Sequence, residues 1–122
     1  MKPIQAQRRR VANIYDKDAF TAFDPTGASE VGTSFTQLNN EAKRAVGFYI
    51  YRMEPGSESV PHQHGGAEEF VMIEGELIDN DGTIYRAGDV VWLAPGTEHN
   101  SRTETGCLIA VYAEADESAP MG

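Results

Sequence analysis

Three histidines stand in this chain, His62, His64 and His99, and imidazole is the commonest side-chain ligand of transition metals. In His62-Gln63-His64 the rings are two residues apart, so on a strand they project from one face and can reach one ion without backbone distortion. Glu68 follows the small, flexible link Gly65-Gly66-Ala67, which lets the chain turn and bring a carboxylate back to the pair. His99 arrives 31 residues later, behind Ala94-Pro95-Gly96-Thr97-Glu98, and must come from a different strand. Three imidazoles and one carboxylate form a borderline-hard set that suits one divalent transition metal, Fe, Mn, Ni, Cu or Zn, without a thiolate. On a six-coordinate ion two adjacent positions remain for water, dioxygen or a bidentate substrate, whereas tetrahedral zinc would be saturated.

Strands must position these side chains. Val31–Leu38 and Ala45–Met53 are rich in β-branched and aromatic residues, with the polar Asn39-Asn40-Glu41-Ala42-Lys43-Arg44 as a hairpin connection. Pro55-Gly56 stops the second of them. Glu69–Ile73, Glu76–Ile78, Thr83–Tyr85, Val90–Leu93 and Cys107–Tyr112 read as further strands, and Asn80-Asp81-Gly82 as a tight turn. No stretch carries a helical apolar period of three or four turns. Many short strands separated by turn signals are the pattern of an antiparallel sandwich or barrel.

The 122 residues fit one domain. They divide into an arm with edge segments at 1–29, a barrel at 30–113 and an acidic tail at 114–122 that is expected to lie outside the core. The net charge of −9 argues against a nucleic-acid-binding surface, since a phosphate backbone would be repelled. Lys2, Arg8, Arg9 and Arg10 supply four of the ten basic residues, a short solvated arm. Cys107 is the single cysteine, so no intramolecular disulfide can form. Its apolar flanks place it in a buried strand as a small hydrophobe rather than a nucleophile. No apolar run marks a signal peptide or membrane span, and the expected location is the cytoplasm.

With its two motifs in order, the chain resembles the cupin superfamily. The first motif runs Gly56, five residues, His62-Gln63-His64, three residues, Glu68, six residues, Gly75; the second runs Gly88, five residues, Ala94-Pro95-Gly96, Thr97-Glu98, His99. Ala94 replaces the family's usual Pro, and Thr103 its usual Asn. Glu68 rather than Glu69 matches the carboxylate position, because only Glu68 leaves six residues before Gly75. Residues 55–112 look most like the cupin domain of ChrR-type anti-sigma factors, which carry a further N-terminal zinc-binding domain that grips the sigma factor. No counterpart of that domain stands in the present residues. The resemblance therefore implies an all-β double-stranded β-helix, a jelly-roll-like barrel of two antiparallel sheets, and the metal set His62, His64, Glu68 and His99, rather than the regulatory role.

If Glu68 points inward, Phe70 and Met72 share its face, and Tyr49 and Tyr51 form a stripe on the preceding strand, with Trp92 joining them as pocket lining. Gly65-Gly66-Ala67 adds almost no bulk above the ion, which predicts a dry mouth wide enough for a small ligand. The expected function is metal-dependent, dioxygenase-like chemistry on a small oxygenated molecule. An isomerase or lyase, in which Tyr51 moves the proton, and a non-catalytic metal- or ligand-sensing module are the alternatives. Phe48 and Ile50, on the parity opposite Tyr49 and Tyr51, need cover and predict a homodimer.

Overall fold

Alternation of apolar and polar residues becomes alternation of burial along each main strand. The structure, a computed structural model, describes residues 1–24 and 30–120; the expected arm boundary at 29 and the terminal Met121-Gly122 lie outside the described residues. In chain order the strands are β1 (Thr21–Ala22), β2 (Thr33–Thr36), β3 (Gly47–Met53), β4 (His62–His64), β5 (Glu68–Asp79) and β6 (Ile84–Arg86). They continue with β7 (Val90–Leu93), β8 (Glu98–His99), β9 (Ser101–Arg102), β10 (Cys107–Ala113) and β11 (Glu117–Ser118). The arm contributes two single 3₁₀ turns, Ala6–Arg8 and Lys17–Ala19. Among the described residues no helix is long and apolar enough to cross a membrane.

The large sheet runs β1-β2-β3-β10-β5, and β5 pairs with β7 over its first half and with β6 and β9 over its second. The small sheet is β11-β4-β8. Every pairing is antiparallel, giving the expected all-β double-stranded β-helix. Between the sheets Phe23 packs on Phe35, Tyr49 and Tyr51 with ring centroids 4.7 to 5.7 Å apart, the separations at which aromatic pairs attract. Phe70, Met72, Leu77, Ile109 and Val111 complete this core.

Strand β5 is one long element where two short ones were expected. Opposite β10 its register steps from Leu108–Glu74 to Ile109–Met72, so Ile73 is an extra residue in a β-bulge. The bulge changes parity: Glu68, Phe70 and Met72 face inward before it, Leu77 and Asp79 after it. Gly75, at a φ of +76°, lies where a Cβ would overlap the Gly106 carbonyl oxygen, so the bulge can close against β10 only with glycine there.

Trp92 is not pocket lining but 61% exposed on the outer face, because pairing of β7 with β5 sets Leu93 opposite Glu68 and Val91 opposite Phe70, leaving Trp92 on the other parity. The C-terminal tail is not outside the core either: β11 pairs with β4, Glu117 opposite His64 and Ser118 opposite Gln63. On the outer face Phe48 is exposed as expected, with Tyr112 beside it, whereas Ile50, expected there as well, is buried within the chain itself.

Candidate metal centre

Strand β4 supplies His62 and His64 on one face, both buried, and β8 brings His99 directly opposite His62. The three rings form a near-equilateral triangle with centroids 4.6, 4.9 and 5.1 Å apart. Glu68 enters from the first residue of β5, its Oε2 3.3 Å from His64 Nε2. The expected ligand residues are thus brought together, and the histidine nitrogens lie within 4.8 Å of one another.

Hydrogen bonds fix the tautomer of every ring. His62 Nδ1 is 2.8 Å from the Val60 carbonyl oxygen, which can only accept, so Nδ1 carries the proton. His64 Nδ1 is 2.9 Å from Thr97 Oγ1; that hydroxyl spends its own hydrogen on the Ala94 carbonyl and therefore accepts. His99 Nδ1 donates to Asp79 Oδ1 at 3.1 Å. Each Nε2 is left as a bare lone pair aimed at the centre. His64 Nε2, His99 Nε2 and Glu68 Oε2 are buried without a hydrogen-bond partner, a costly arrangement unless a cation satisfies them. Outward Nδ1 donation to carbonyl or carboxylate with inward Nε2 is the usual support of metal-ligating histidine, and the residues fit one divalent ion.

Electrostatics point the same way. Burial pushes His62 down to about 4, keeping it neutral and competent to ligate at neutral pH. Burial raises the Asp79 carboxyl, but hydrogen bonds from His99, Ser101 and Tyr85 outweigh it and hold the group below the ordinary range, so Asp79 is an ionised acceptor for three donors. At Glu68 burial also opposes ionisation, and it is hydrogen bonding and positive charge from the imidazoles in their protonated form, His64 first, that bring it down.

A model of the ChrR cupin-like domain matches residues 16–115. The chain belongs to the ChrR cupin-like family. Solved structures similar to this cupin-like domain include an acetylacetone dioxygenase from Acinetobacter johnsonii, at 16% identity and a TM-score of 0.64 over 91% of this chain and 78% of that one. The polyketide cyclase RemF from Streptomyces resistomycificus is similar at 19% identity and a TM-score of 0.64, over 88% of this chain and 80% of that one. In the complex of Rhodobacter sphaeroides SigE with the anti-sigma ChrR, a chain matches at 20% identity and a TM-score of 0.56, covering 66% of the present chain and 43% of its own length. At these identities the likeness is one of cupin fold. Curated protein sequences return no match.

Beside the cluster lies a partly open cavity of about 50 Å³. Tyr49, Tyr51 and Phe70 line it together with His62, Glu68 and His99; Met72 is buried in the core and is not among the lining residues. Tyr51 does not aim its hydroxyl at the cluster: it donates to Glu30 Oε1 at 2.9 Å, where Thr33 also donates, while Val60 N–H donates to Glu30 Oε2. Burial, then the Glu30 charge, raises the phenol well above its usual value. Cys107 is buried, its thiol pushed up to about 12 by desolvation, in keeping with a packing role.

Sequence reasoning missed two acidic residues. Asp79 orients His99 from beyond the bulge. Glu117 sits in β11 with its side chain 6% exposed, Oε1 3.6 Å from His62 Nε2 and 3.9 Å from His64 Nε2. Burial, followed by the Glu68 charge, pushes its carboxyl up to about 9. Gly65 and Gly66, expected to leave the ion uncovered, instead lie under the C-terminal segment: a Cβ on Gly65 would stand 2.7 Å from the Asp116 carbonyl oxygen, and one on Gly66 2.9 Å from Glu114 Cβ. A carboxylate eighteen residues past His99, in an acidic tail, gives no spacing signal.

Proposed function

We propose that this ChrR cupin-like domain binds one divalent transition metal through His62, His64, Glu68 and His99 and uses it in oxygenase-like chemistry on a small oxygenated molecule. The observation that carries the reading is the convergence of three Nε2 lone pairs and a carboxylate, each imidazole held from behind, at the wall of an apolar cavity. A bound ion would supply Lewis-acid polarisation of a coordinated oxygen and, if redox-active, electrons for dioxygen chemistry. The chain's own residues do the rest. Asp79, Thr97 and the Val60 carbonyl fix ring orientation, and Phe23, Tyr49 and Phe70 give the cavity an apolar wall beside the ligand set. The isomerase or lyase alternative gave Tyr51 a proton to move, and the hydrogen bond from that hydroxyl to Glu30 weighs against it.

A non-catalytic sensing module is the second reading, favoured by the carboxylate of Glu117 already standing beside the imidazoles. The test begins with elemental analysis of protein purified without added metal, followed by oxygen-electrode measurements on iron-loaded protein with a 1,3-diketone and with a catechol as probes. The oxygenase reading expects oxygen uptake matched to substrate loss and abolished in His99→Ala. Stoichiometric metal with no uptake for either probe would move the assignment to sensing. A cytoplasmic, homodimeric protein completes the proposal; the dimer rests on the exposed row Phe48, Tyr112 and Trp92 across β3, β10 and β7.

A further inference from the structure

We propose that Glu117 is a fifth protein ligand of the metal centre, delivered by β11, so that a six-coordinate ion keeps one exchangeable position rather than two. This rests on the reading that His62, His64, Glu68 and His99 hold a metal.

Donor atoms about 2.1 Å from a six-coordinate ion stand about 3.0 Å apart when adjacent and about 4.2 Å apart when opposite. Glu117 Oε1, at 3.6 and 3.9 Å from the two β4 imidazole nitrogens, lies within that interval, as does Glu68 Oε2 at 3.3 Å from His64 Nε2. Glu117 forms a second potential ligand group with His64 and Glu68, and its Oε2 is buried without a hydrogen-bond partner. No lysine or arginine lines the cavity among the described residues, so no side-chain cation there balances two carboxylates. A divalent ion does: with three neutral imidazoles, one carboxylate leaves a buried net charge of +1, and two carboxylates leave none. Desolvation favours the neutral assembly.

The chain also builds a seat for this residue. The Gly65 N–H donates to the Asp116 carbonyl at 3.2 Å and the Glu114 N–H to the Ala67 carbonyl at 3.0 Å, pinning the segment before β11 onto the two glycines. Side chains at either glycine would force that segment off. The small link between the histidine pair and Glu68 therefore admits the C-terminal backbone, and with it the fifth carboxylate.

Cobalt loading of the full chain tests this, with Glu117→Gln, Glu117→Ala and the wild type compared for stoichiometry, dissociation constant by chelator competition, visible spectrum and azide titration. The wild type is expected to bind one cobalt. Both variants should still bind one, but on the order of tenfold more weakly or worse, with an altered ligand-field spectrum and azide saturating at a concentration at least about tenfold lower. Variants matching the wild type within about twofold in affinity, with the same spectrum and azide response, would overturn the assignment. Glu117→Gln keeps size and a hydrogen-bonding head, so a native circular dichroism spectrum beside a changed cobalt spectrum separates lost ligation from lost folding. Wild-type protein that takes up no cobalt would instead remove the four-residue centre, a failure visible before any variant is made.

Discussion

Asp79 does for His99 what no ligand can do for itself. Its ionised carboxylate accepts from His99 Nδ1, Tyr85 and Ser101 at once, which holds the ring's tautomer and its direction. Asp79→Asn can present an amide hydrogen to Nδ1 and invert the tautomer, so metal affinity is expected to fall about 10–100-fold, read by chelator competition, with little change in the unloaded fold by circular dichroism. Metal-free protein should also show an unusual pH response. Folded Glu117 holds its proton to about 9 whereas the unfolded chain loses it near 4.5, so above that value folding binds protons and stability falls as pH rises, by up to about 1.4 kcal/mol per pH unit. His62 acts at the other end: the unfolded imidazole protonates near 6.5 while the folded one resists to about 4, so its contribution is lost as pH falls through that window. The two slopes oppose one another between about 4.5 and 6.5, and urea midpoints of chelator-treated protein should be highest there, with the alkaline decline absent in Glu117→Gln. Histidine spacing made the candidate cluster legible in the sequence because side-chain direction on a strand depends on parity alone. Asp79 was not legible, since Ile73 resets that parity by an amount that only pairing with β10 reveals.

At the level of elements, β-branched and aromatic runs located β2, β3, β7 and β10 to within a few residues, because β2, β3 and β10 bury apolar side chains and β7 packs the partly buried Val91 and Leu93 against the core. Strand β11 escaped for the converse reason: two residues are too few to alternate, and Glu117 among acidic neighbours reads as a solvated end. Thr103, in place of the family's usual Asn, still anchors the chain just after β9, its hydroxyl donating to the Glu76 carbonyl at 2.7 Å. The link between β4 and β5 is the most sensitive connection in the fold. Gly65→Val would drive a side chain into the Asp116 carbonyl, and the strain of such overpacking amounts to about 1–3 kcal/mol. Hydrogen exchange should accelerate at the amides of residues 114–118 while those of β3 and β10 stay protected. Equal protection of both regions in the variant would show that the segment seats without the glycines.

Over the whole molecule, the outer face of the large sheet carries Phe48, Tyr112 and Trp92 at 60, 52 and 61% exposure, joined across the sheet by the pairings Phe48–Tyr112, Tyr112–Glu69 and Glu69–Trp92. An aromatic row of this kind, open to water, is what a second copy would cover. Sedimentation at micromolar concentration should give a particle of twice the 13.3 kDa chain mass, and Tyr112→Glu should return it to the monomer; a wild-type monomer would dismiss the interface. The centre also straddles the two sheets, with His62, His64, His99 and Glu117 on the small one and Glu68 on the first half of β5 in the large one. A bound ion would therefore rivet the sheets face to face, in a chain whose lone cysteine denies it any covalent cross-link of its own. Such a rivet strengthens with the logarithm of free metal, by about 4 kcal/mol at a thousandfold excess over the dissociation constant, so the melting temperature should climb with metal concentration and drop on adding a chelator. Chelation would then act on this barrel as reduction acts on a disulfide-linked one, loosening the mouth between the sheets first and leaving each sheet's own ladder intact.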